Sequence, residues 1–112
     1  MVNLLFRRLN FLSITGDYTE GGILTASYEY VGGHEGKSIY NWYLHEVETD
    51  PGILIPEVSG CLQYSVTKDA IGKFISFRCT PLRYDGIMGE SRTCMGQEHI
   101  LEMVLSVYIN MR

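Results

Sequence analysis

Residues 37–44, Lys-Ser-Ile-Tyr-Asn-Trp-Tyr-Leu, carry the chain's single tryptophan and alternate in two chemically distinct sets. A period of two limits such a stretch to an extended strand. Tyr40, Trp42 and Leu44 form one set, and Ile39, Asn41 and Tyr43 form the other. Trp42 offers the largest apolar surface with which to anchor a buried face, so it is the expected core anchor and its set the expected core face.

The flanking sequence repeats this pattern at short intervals. Leu12, Ser13 and Ile14 read as a short edge strand ending at Gly16-Asp17, and Glu20-Gly21-Gly22 turns the chain. Leu24, Ala26, Tyr28 and Tyr30 then alternate with Ile23, Thr25, Ser27 and Glu29, and the small Ala26 leaves room for Trp42. After a glycine-rich turn at 31–36 and the central strand, residues 45–60 are polar, acidic and broken by Pro51, Gly52 and Pro56. They read as a loop with at most a short strand at 52–55. A strand is expected at 61–66 with Leu62, Tyr64 and Val66 on one face, followed by a corner at 67–72. Another is expected at 73–79, with Lys73, Ile75, Phe77 and Cys79 opposite Phe74, Ser76 and Arg78. Thr80-Pro81 ends that pairing, Tyr84-Asp85-Gly86 signals a hairpin turn, and 89–95 is the expected return strand. About seven short antiparallel strands with regular turn signals, and no long helical pattern, predict an all-β chain folded as an immunoglobulin-like β-sandwich. Residues 12–97 are its expected body, 1–11 an unassigned lead-in, and 98–112 a tail that fits neither period.

Length and charge bound the rest. A chain of 112 residues buries roughly two thirds of its unfolded surface and folds without metal or disulfide. Nine basic residues against 13 acidic ones give a net charge of −4, the wrong sign for a phosphate-tracking surface, so no nucleic-acid partner is expected. No stretch approaches the ~20 apolar residues of a membrane span, and the opening Met1–Arg8 places its charges after the apolar run, the reverse of a secretory signal. No membrane partner is expected, and the chain reads as soluble and intracellular. Cys61, Cys79 and Cys94 leave an odd thiol in any pairing, as expected of reduced cysteines.

The spaced motifs form a set: Ile14-Thr15-Gly16-Asp17 with Glu20-Gly21, Gly32-Gly33 with Glu35-Gly36, Ser38 and Trp42, and Tyr64, Thr67, Asp69 and Gly72 at the corner. Thr80-Pro81 and Asp85-Gly86 with Gly89-Glu90 complete it. From Phe11 to Gln97 the chain resembles one of the tandem immunoglobulin-like repeats of the plant microtubule-associated family named for its induction by auxin in root cultures. The resemblance implies a cytoplasmic, cytoskeleton-associated chain at cortical microtubules and division-plane arrays. It also implies a partner that is another protein or a neighbouring repeat. The resemblance to secreted immunoglobulin domains is looser, because Ala26 stands where the disulfide partner is expected and Phe77 where a corner tyrosine is usual.

Against these readings stand the chemical alternatives. A Cys-His-acid set drawn from Cys79 or Cys94 with His34 or His99 has no local signature of nucleophilic catalysis, so no catalytic residue and no cofactor are expected. His34-Glu35 lies between glycines and reads as a turn whose carboxylate caps backbone amides rather than as a metal site. Tyr28, Tyr30, Tyr40, Tyr43 and Trp42 invite a carbohydrate-binding module, but alternation turns Tyr28, Tyr40 and Trp42 inward. Ile39, Asn41 and Tyr43 lie on the opposite face and are the candidate contact surface, with a loop lying over them as the alternative. The expected role is a non-enzymatic interaction or spacer module, related to microtubules through another protein rather than by direct contact. An acidic surface is repelled by acidic tubulin tails.

Overall fold

Alternation along the chain resolves into seven strands in a computed structural model that describes residues 8–103. They are β1 (Arg8–Gly16), β2 (Ile23–Val31), β3 (Ile39–His45), β4 (Ile53–Leu54), β5 (Gln63–Ser65), β6 (Phe74–Thr80) and β7 (Arg92–Met95). Two antiparallel sheets, ordered β1-β2-β5 and β4-β3-β6-β7, face each other as an immunoglobulin-like sandwich. Among the described residues no helix is long and apolar enough to cross a membrane.

The core fills from both inner faces. Leu9, Ile14, Leu24, Ala26, Tyr64 and Val66 come from one sheet, and Trp42, Ile75, Phe77 and Cys79 from the other. Trp42 is 0% exposed, with its ring centroid 4.9 Å from Phe77 and 5.9 Å from Tyr64. Its indole N–H donates to the Cys61 carbonyl at 2.9 Å, so the one polar atom of the ring is satisfied where the chain crosses between sheets. Tyr40 and Leu44, on the same face, are half-buried at the sandwich's margins.

Several elements differ from the sequence expectation. β1 starts at Arg8 rather than near Leu12, because its ladder with β2 carries an irregularity between Asn10 and Ser13. There Phe11 takes a φ of 56° and stands 78% exposed, a β-bulge that hides the period of two. β7 is shorter than 89–95, since Pro81 gives no N–H to the ladder and Gly89 N–H bonds the Pro81 carbonyl instead. At the other end, Ile100 is 1% exposed and joins the core, and its backbone bonds Gly72 and Lys73. Residues 8–11 and 100–101 thus belong to the fold outside the 12–97 body, while 1–7 and 104–112 lie outside the described residues. β1 begins opposite Val31, and Leu101 bridges Thr19 at the far end, so the chain enters and leaves at opposite ends of the sandwich.

Candidate functional site

The outer face of β3 is graded along its length. Ile39 pairs with Thr80, Asn41 with Arg78, and Tyr43 with both Ser76 and Leu54. Ile39 is 41% exposed, whereas Asn41 and Tyr43 are half-buried. Asn41 Oδ1 accepts a hydrogen bond from Ser59 at 2.9 Å, and β4 runs along the edge beside Tyr43. Exposed Leu54 and Arg78 extend the surface; sequence reasoning missed Leu54 because β4 is only two residues long.

Beyond Tyr43 the face closes over a buried polar chain. His45 Nδ1 lies 2.9 Å from the Asp50 carbonyl and 3.1 Å from Asp50 Oδ1. Both atoms are acceptors, so Nδ1 donates to them, and Nε2 lies 2.8 Å from the Ser76 hydroxyl oxygen. Asp50 also receives the amides of Glu46, Val47 and Gly52. These bonds, the one from Val47 foremost, hold its carboxyl below the usual carboxylate range. A Ser-His-Asp order invites comparison with a catalytic triad. Yet Ser76 is 1% exposed and sits within a strand paired on both sides, so no substrate carbonyl reaches its Oγ. The chain of bonds serves to fasten the 46–52 loop onto the sheet.

The residues considered for other chemistry separate in the same way. Cys79 is buried and its thiol is pushed up to about 12, by desolvation first and then by the Glu35 charge. Cys94 is half-buried and bonds backbone groups of Met95 and Ile14, and among the described residues neither cysteine hydrogen-bonds a histidine. Glu35 accepts from Ser38 Oγ at 2.6 Å and from the Tyr28 hydroxyl, so its carboxylate binds side-chain hydroxyls rather than the expected backbone amides. Burial, then this bond, pushes the Tyr28 phenol well above its ordinary range. Ser38 in turn accepts the Leu82 amide, which clasps the 32–38 turn to the hairpin. No group of three metal-ligating side chains occurs among the described residues. The Tyr28 and Tyr40 rings are inclined by 58° and Trp42 is buried, so these aromatics present no flat platform for a sugar.

The comparisons with known proteins decide the kinship. The family model for the AIR9 A9 domain matches residues 8–96. The chain belongs to this family. Over 93 residues the chain is 70% identical to the 187-kDa microtubule-associated protein AIR9 of Arabidopsis thaliana. That match covers 82% of this chain and 5% of the relative, so the chain spans a small part of the relative's length. The matched residues 8–96 take in all seven strands, including the first residues of β1.

Proposed function

We propose that this chain is a non-enzymatic interaction or spacer module of a cytoskeleton-associated protein, set within a much longer chain. The observation that carries the reading is where the described chain enters and leaves the sandwich. Residue 8 and residue 101 lie at opposite ends of one sandwich, the arrangement that lets modules follow one another in line. The 5% share of a microtubule-associated relative supports the same reading. Contact with the partner, a neighbouring module or another cytoskeletal protein, runs through Ile39, Asn41 and Tyr43, with Leu54 and Arg78 beside them. The working location is cytoplasmic, at cortical microtubules and division-plane arrays.

Site-directed photocrosslinking in the longer protein tests this. A benzophenone side chain at Ile39 is expected to yield adducts with a neighbouring module or a non-tubulin protein, and one at exposed Ser27 on the other sheet is expected to yield none. Adducts to tubulin from position 39, or adducts from position 27 alone, would contradict the assignment.

A further inference from the structure

The open side of the sandwich between β4 and β5 holds a groove of about 980 Å³. Leu44, Ile55, Val58 and Tyr64 give it an apolar floor, Glu57 and Asp69 stand on its rim, and no basic residue lines it. Leu62 follows the same inward parity as Tyr64 and Val66, but it stands 38% exposed at the mouth of the groove.

The strand beside the groove has an unused edge. In the β2–β5 ladder, the Ala26 N–H donates to the Leu62 carbonyl at 2.8 Å and the Val66 N–H donates to the Gly22 carbonyl at 2.9 Å. Leu24 and Tyr64 are the pair between them, so Tyr64 directs its backbone groups at β2. Gln63 and Ser65 therefore turn their N–H and C=O groups outward, without backbone partners among the described residues. By contrast, the corresponding edge of β3 is occupied, since the Trp42 and Tyr40 carbonyls accept the amides of Ile55 and Gly60. Natural sheets cover or charge an unpaired edge, and this one runs along an apolar cleft instead.

We propose that the β5 edge and its groove dock an extended peptide that adds a strand beside β5, with apolar side chains at alternate positions and basic residues at its flanks. Backbone pairing to Gln63 and Ser65 supplies the register, and the side chain opposite Tyr64 enters the groove. The acidic rim selects positively charged flanks. A second copy of this chain fits poorly, because pairing two β5 edges brings Glu57 and Asp69 of each copy toward their counterparts.

The test uses the isotopically labelled chain titrated with the peptide Lys-Arg-Val-Thr-Val-Thr-Val-Arg-Lys and read by amide chemical shifts. Saturable shifts at Gln63, Tyr64 and Ser65 are expected. They are lost when the peptide is N-methylated at the residues facing β5. Binding falls roughly five- to tenfold when the peptide's flanks are made acidic or when Glu57→Lys is introduced in the chain, as expected for a few solvent-screened charge pairs. An absence of shifts at millimolar peptide overturns the proposal, as does equal binding of the methylated peptide. Shifts at the same residues that grow with chain concentration alone would assign the edge to a second copy and overturn it equally.

Discussion

Trp42 joins the two sheets, through ring contacts to Phe77 and Tyr64 and through its bond to the Cys61 carbonyl. Trp42→Ala leaves a cavity at that junction and strands an acceptor. Truncations of this kind cost about 3 to 5 kcal/mol, a large share of the ~5 to 15 kcal/mol that holds a domain together. The variant is expected to lose its cooperative thermal transition, and a melt within a few degrees of the parent would contradict a core role. The thiols give a second residue-scale test. All three cysteines are free. Denatured, unreduced protein is expected to titrate three thiols per chain, whereas in the native state exposed Cys61 reacts first and buried Cys79 last, its thiolate disfavoured by desolvation. A single titratable thiol in the denatured chain would mean a disulfide.

At the scale of elements, the 46–52 loop behaves as a unit folded around one carboxylate. Asp50 takes three backbone amides and holds His45, which in turn holds Ser76. Gly52 completes the lock, because its φ of +80° suits glycine and a Cβ there would sit 2.5 Å from the His45 ring. The folded state lowers the Asp50 pKa below its ordinary value of 3.8. The stabilisation is therefore complete above that value and is lost as pH falls through the lower, folded one. Amide protection at Glu46, Val47 and Gly52, taken relative to the intrinsic exchange rate at each pH, is expected to fall on acidification below about pH 4, and loss of the dependence in Asp50→Asn would tie it to this carboxyl. Protection that is flat with pH in the parent would contradict the account.

The same loop shows where the sequence stops being legible. Alternation exposes β2, β3 and β6 because each has one apolar face over several pairs of residues. His45, Asp50 and Ser76 are distant in sequence and joined only by the fold, so no local pattern announces them. β1 is obscured for a different reason: its inward residues Leu9 and Ile14 are five positions apart, an odd spacing that alternation forbids and the bulge at Phe11 absorbs. Ile39 is visible from parity as an outward residue, whereas the half-burial of Tyr43 depends on β4, which is too short to carry a period.

At the scale of the whole molecule, charge and kinship pull in different directions. The relative is a microtubule-associated protein, but this chain carries 13 acidic and 9 basic residues. Microtubule surfaces present acidic tails, and like charges slow encounter and weaken docking at long range. The module is therefore expected to space or dock other proteins while contributing no direct grip on the polymer. Co-sedimentation of the isolated 112-residue chain with stabilised microtubules at physiological salt measures this most directly. The account predicts that the chain stays in the supernatant across the micromolar range; pelleting with micromolar affinity, weakened by added salt, would contradict it and point to a basic contact through Arg78, Arg83 and Arg92.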